Sequence, residues 1–192
     1  MEQIKSKDEL IRLGDLHYCG EHTVSEWLKE GNNMKDYMEK TIKNEWIGIK
    51  FDDGIEILLQ IDKGSIHNTM WYDDESESPN KNYENFKEYN LRYQNCNYDW
   101  IINTLKKEDG FCDEYLIFKQ KDNIKGTEYC IEPASYTQNW NDKEYVRKLT
   151  KQEKEFIISF YQAQKDKFIK RLEIYWKKYQ NKVYCSGYRA NR

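Results

Sequence analysis

From Thr150 onward the chain reads TKQEKEFIISFYQAQKDKFIKRLEIYWKKYQ, a run with neither Gly nor Pro. Thr150 and Glu153 stand three residues apart, the spacing of a capping box in which each side chain satisfies the other's backbone N–H. Behind them Ile157, Tyr161, Gln164, Phe168, Leu172, Tyr175 and Tyr179 recur every three or four residues. That period puts them on one side of a helix as an apolar stripe broken once, at Gln164. About 29 residues at 1.5 Å each make a helix roughly 44 Å long, over about 150–180. An element of that length must brace a whole sheet or project beyond it, so it dictates what the remaining 150 or so residues can build around it.

Upstream, the pattern is short helices and then strands. Ser6 with Glu9, and Thr23 with Glu26, are two more capping boxes. They predict a helix running to about Leu16 and a second over VSEWLKE, stopped by Gly31. Met34, Tyr37, Met38 and Ile42 suggest a third helical piece over about 33–44. The period then changes to two. Ile47, Ile49 and Phe51 alternate, as do Ile55, Ile57, Leu59 and Ile61, and Asp52-Asp53-Gly54 lies between them. Aspartate-glycine between alternating apolar runs signals a hairpin. TMWY, 69–72, is a candidate third strand, and 73–82 reads as a polar loop. YDWIINTLKK, 98–107, reads as a helix. EYLIFKQ and TEYCIEP read as strands of a second hairpin joined by KDNIKG. Residues 133–145 read as irregular, and VYCSGYRANR as a short closing strand. The expected architecture is therefore a single α+β domain over 1–192. Short N-terminal helices precede an antiparallel sheet of two hairpins, and the long C-terminal helix packs across it.

Composition narrows the function classes. The N-terminus MEQIKSKDEL lacks an apolar signal segment, and no apolar run reaches the roughly 20 residues of a membrane span. A cytoplasmic protein is expected. Five scattered Cys form no CxxC pair and are read as free thiols. Neither GxxxxGK[ST] nor GxGxxG occurs, and Gly is scarce at nine residues, so no nucleotide cofactor is expected. Net charge is −3, unevenly spread. Residues 142–192 hold 14 Lys/Arg against 6 Asp/Glu, and the rest of the chain 17 against 28. An acidic body thus carries a basic tail, which bears on partners rather than fold. With 16 Tyr and 6 Trp the chain is rich in the residues that anchor interfaces. An AT-rich genome would also supply many tyrosines.

Three surfaces compete for a function. The first is acidic and aromatic: Trp71, Tyr72, Asp73, Asp74 and Glu75 could meet a basic groove on a partner protein. The acidic pairs also suggest Mg²⁺ ligation, but Asp52-Asp53 is explained by turn geometry and Asp73-Asp74-Glu75 falls in a loop. The second is basic. Lys167, Lys170, Arg171, Lys178 and Lys182 fall within about 120° of helix circumference at 100° per residue. They could hold phosphates, with Trp176, Tyr188 and Arg189 placed for stacking. A solvated outer helix face is the plainer account of the same lysines. The third is LHYCGEH, where His17, Cys19 and His22 could bind zinc or serve a metal-dependent enzyme. A fourth ligand would come from His67, Cys96, Cys112, Cys130 or Cys185, none of which forms a second ligand pair. A polar helix end accounts for the same residues, with a His suiting the C-terminal dipole. No local pattern marks a nucleophilic Cys/His pair, and no catalytic residue is assigned.

The segments WIGIKFDDGIEILLQID, GFCDEYLIFK, YCIEPASYTQNW and KEFIISFYQAQKDKFIKRLEIYWKKY, about half the chain, resemble small accessory proteins of phages and mobile elements of low-GC bacteria. Anti-defence inhibitors, including anti-CRISPR proteins, are of this type. The resemblance implies a non-enzymatic inhibitor or modulator of a host nucleic-acid-handling defence protein, and it carries over no functional residue. The partner would be that host protein, a CRISPR or other defence effector. Direct nucleic-acid binding by the basic helix is the alternative, and the long apolar stripe could also close a homodimer.

Overall fold

A computed structural model describes residues 1–17, 23–29, 46–61, 65–72, 82–92, 98–107, 114–122, 126–134 and 143–187. The chain divides into two compact units, one of Met1–Ile61 with Ile102–Ile158 and one of Asp62–Ile101 with Ser159–Arg192. The fold is α+β, as expected.

The first unit holds a six-stranded sheet in the order β1-β2-β3-β6-β5-β7. Its strands are β1 (Glu2–Ile4), β2 (Trp46–Lys50), β3 (Glu56–Gln60), β5 (Tyr115–Asp122), β6 (Gly126–Pro133) and β7 (Lys143–Lys148). Both predicted hairpins are present. In the first, Gly54 takes φ +84°, which a side chain would resist, and the Ile55 N–H donates to the Asp53 carboxylate at 3.2 Å. The sheet is not purely antiparallel as predicted. β3 and β6 run parallel, joined at the single pair Ile57↔Tyr129. Each hairpin is antiparallel within itself, and β1 and β7 extend them as antiparallel edges. β7 also replaces part of the stretch read as irregular. Its burial is nowhere complete, and an edge strand of charged residues shows no clean alternation.

Helix α1 (Lys7–His17) lies against β2, β3 and β6, and α2 (Val24–Lys29) packs on α1. Val24 is fully buried among Leu10, Ile11, Trp27, Leu28 and Trp46. The Thr23–Glu26 capping box forms, with the Thr23 N–H donating to Glu26 at 2.7 Å and the Glu26 N–H to Thr23 Oγ1 at 3.2 Å. Asp15 of α1 accepts from the Ser25 N–H at 2.8 Å and fixes the start of α2. The predicted piece over 33–44 and the stop at Gly31 lie outside the described residues.

Gly14 sets how closely α1 approaches the sheet. A Cβ there would stand 2.2 Å from Cζ3 of Trp46. Gly14→Ala should therefore lower stability by about 1–3 kcal/mol through overpacking. Set against the roughly 1 kcal/mol that Ala gains in helix propensity, the net loss is up to about 2 kcal/mol. A melting temperature equal to or above that of the parent would show that Trp46 can swing aside.

The second unit holds α3 (Tyr83–Arg92), the strands β4 (Thr69–Tyr72) and β8 (Tyr184–Gly187), and most of α5 (Lys151–Tyr179). β4 and β8 pair in parallel as a separate two-stranded sheet, so TMWY is a strand but not a third strand of the first hairpin. α4 (Tyr98–Lys106) and α5 each supply residues to both units. Phe86 is fully buried, stacked on Tyr175 at 6.0 Å and tilted against Trp176 at 5.1 Å. Asn90, also fully buried, accepts from the His67 N–H at 2.7 Å and donates to the Phe86 carbonyl at 2.9 Å. The 29-residue α5 matches its predicted length. Ile157, Tyr161, Phe168 and Leu172 of its stripe are buried, and Gln164, Tyr175 and Tyr179 are half-buried.

Candidate functional site

The three predicted surfaces fare differently. Asp73, Asp74 and Glu75 lie outside the described residues, as do the side chains of Trp71 and Tyr72, whose backbone forms β4. Of the LHYCGEH trio only His17 is described; Cys19 and His22 fall outside. His17 ends α1, and its Nδ1 meets the carboxylate of Glu128 on β6. That hydrogen bond raises the imidazole pKa above its ordinary value, against the lowering effect of burial. Among the described residues no group of three His, Cys, Asp or Glu is arranged to hold a metal ion.

Glu128, Cys130 and Glu132 alternate along β6 and so share one face of the sheet. Lys143 of β7 pairs with Glu132 there. Burial, aided by the neighbouring carboxylates, pushes the Cys130 thiol up to about 12. A thiol so disposed stays protonated at neutral pH and is a poor nucleophile.

A second polar cluster joins the first hairpin turn to the start of α5. Arg147 of β7 donates from Nε to Asp53 at 2.8 Å, and from Nη1 and Nη2 to the two oxygens of Glu153 at 2.8 and 2.9 Å. Glu153 also accepts from the Thr150 N–H at 2.8 Å, completing the predicted capping box. Arg147 Nη1 also donates to the Lys148 carbonyl at 2.9 Å, so four of the five N–H groups of this guanidinium are used within the fold, which marks it as a clamp. The sequence showed the capping box but not its Arg partner, because β7 was not legible as a strand.

The basic face of α5 is fully described. Lys167, Lys170, Arg171, Lys177 and Lys178 are all exposed. At 3.6 residues per turn they cover about 120° of circumference, and within residues 163–181 that arc contains no acidic residue. Among the described residues Lys167, Lys170, Lys177 and Lys178 make no ion pair, whereas Lys165 on the opposite side of the helix is held by Asp99 at 2.6 Å. Lys182 departs from the predicted stripe. The α-helix ends at Tyr179, and Lys182 sits on a following 3₁₀ turn, Gln180–Lys182. Its ammonium lies 5.7 Å from the Tyr179 ring, beside that of Lys178 at 5.1 Å. Trp176 is not placed for stacking on a ligand, because its ring packs against Phe86 and Tyr83. Tyr188 and Arg189 lie outside the described residues.

Two members of this face were not singled out from the sequence. Lys177 lies at one border of the arc. Ile174 lies inside it, 68% exposed among cations. Its signal was available, since Ile174 is an aliphatic residue off the apolar stripe of an otherwise well-patterned helix.

Among the described residues no helix is long and apolar enough to cross a membrane. No protein-family model matches the chain, no curated protein matches it, and no solved structure matches it.

Proposed function

We propose that this protein is a binding protein that engages nucleic acid through the basic face of α5. The observation carrying this reading is the acid-free arc of five exposed cations on a helix whose other side is committed to its own unit. A helix that merely solvates its outer face usually mixes both signs, as i,i+4 pairs favour. Here the acids Asp166 and Glu173 stand about 20° and 40° outside the arc, beyond Lys177, and among the described residues neither forms an ion pair with the lysine four positions on, Lys170 or Lys177. Phosphate contacts of this kind supply sequence-independent affinity and steep salt dependence.

The test is fluorescence anisotropy of labelled nucleic acid against the protein and a variant with Lys167, Lys170, Arg171 and Lys178 changed to Glu. All four positions are exposed, so the variant should keep its circular dichroism spectrum. It should lose at least 100-fold in affinity. Binding retained by the variant would sink the reading.

A second reading rests on the charge partition. The acidic excess of residues 1–141, with the aromatic richness of the chain, supports an inhibitor that offers an acidic surface to the basic groove of a host defence protein. That is the anti-CRISPR-like role of a phage or mobile-element accessory protein. Both roles belong in the cytoplasm. A pulldown from a low-GC bacterial lysate, with and without nuclease, separates them. One dominant protein surviving nuclease favours the inhibitor, and enrichment that collapses with nuclease favours the basic face.

A further inference from the structure

We propose that the basic face of α5 is shaped for duplex DNA of B form, with the helix laid in the major groove and Ile174 against the base edges. This rests on the nucleic-acid reading above and adds which form of nucleic acid the face accepts.

The argument starts from the order of side chains around the helix. On a wheel of 3.6 residues per turn, Lys170 and Lys177 form one shoulder of the arc. Lys167, Arg171 and Lys178 form the other. Ile174 falls between them, within about 10° of the midline. Two rows of cations flanking an exposed aliphatic residue match a groove bordered by two phosphate strands. An α-helix with its side chains is about 10–12 Å across, and the B-DNA major groove is about 12 Å wide. From Lys167 to Lys178 the face extends about 16 Å, or roughly five base steps. At its centre an aliphatic group would meet the C5-methyl of thymine, the one apolar mark the groove displays.

The alternatives fit less well. A-form RNA has a major groove too deep and narrow for side chains to read. Single strands are held mainly by stacking on exposed aromatic rings. No aromatic residue falls on this arc between 163 and 181. The nearest rings are engaged inside the fold: Trp176 and Tyr175 against Phe86, Phe168 buried beneath the Arg171 guanidinium at 5.5 Å, and Tyr179 beneath two ammonium groups. An anionic membrane would also attract lysines around an isoleucine, but one exposed aliphatic side chain is little apolar area to bury in lipid.

The experiment presents one 20-base-pair sequence as DNA duplex, DNA single strand and RNA duplex to the full chain, with phosphatidylserine vesicles as a fourth arm. The DNA duplex should bind at least ten-fold tighter than the other nucleic acids. The slope of log K against log salt should be about −4 to −5 for five phosphate contacts. Ile174→Ala should erase a several-fold preference for A·T-rich over G·C-rich duplex while leaving that slope unchanged. Equal binding of RNA duplex or single strand, still abolished by the four-fold charge reversal, would overturn the groove inference and leave the nucleic-acid reading standing. Binding to vesicles without binding to DNA, or to nothing at all, would end both.

Discussion

Phe86→Ala is expected to destabilise the second unit by about 3–5 kcal/mol, the usual range for deleting a buried ring. The size follows from how α3 is held. Its ten residues are mostly polar, and Phe86 is its fully buried apolar side chain. The ring meets Tyr175 face to face, with 9° between the planes, and Trp176 at a tilt. Such ring pairs contribute about 0.5–1.5 kcal/mol each beyond the area they bury. Removing Phe86 would thus leave two aromatic neighbours facing a void. Urea denaturation followed by tryptophan fluorescence is the measurement. A midpoint within about 0.5 kcal/mol of the parent would mean that α3 is held by something other than this ring.

Arg147→Ala is the second large effect, at about 2–4 kcal/mol. Its mechanism is the burial of a charge without its partner. Glu153 is 7% exposed and receives both ends of the guanidinium fork. Arg147 keeps 27% of its side-chain surface in water, which places the estimate below that for a wholly buried pair. Burial pushes the Glu153 carboxyl upward, yet the Arg147 and Thr150 hydrogen bonds outweigh it and hold the pKa below the ordinary 4.5. A depressed carboxylate contributes stability above its unfolded value and loses it as pH falls through the folded one. The gap between parent and variant should therefore be full at pH 7 and shrink as pH drops below about 4.5. A gap that stays constant to pH 3 would mean that the clamp acts through packing alone.

The sequence made local features legible and long-range ones not. Thr23–Glu26, Thr150–Glu153 and the Asp53-Gly54 turn are short-range devices whose partners lie within three residues, and each is found where the residues place it. β1 escaped because three residues with one buried side chain, Ile4, show no alternation. α3 escaped because Phe86 and Asn90 are its only fully buried positions, too few to draw a stripe. The parallel seam at Ile57↔Tyr129 and the contact of His17 with Glu128 join residues far apart in the chain, which no local pattern encodes. At the candidate site, helical periodicity located the basic face. It could not tell that Trp176 is spent against Phe86, nor that the helix ends before Lys182, because both depend on packing.

The order in which the chain visits its two units has a consequence for the gene. The first unit is written in two stretches, and so is the second, in alternation. No contiguous reading frame encodes either body without part of the other. A nonsense mutation after residue 158 would take α5's basic face and β8 together, leaving residues 62–101 without the second half of their unit. Such a protein cannot be assembled by joining one finished module to another, and it cannot be shortened to either. Its two bodies are inherited only together.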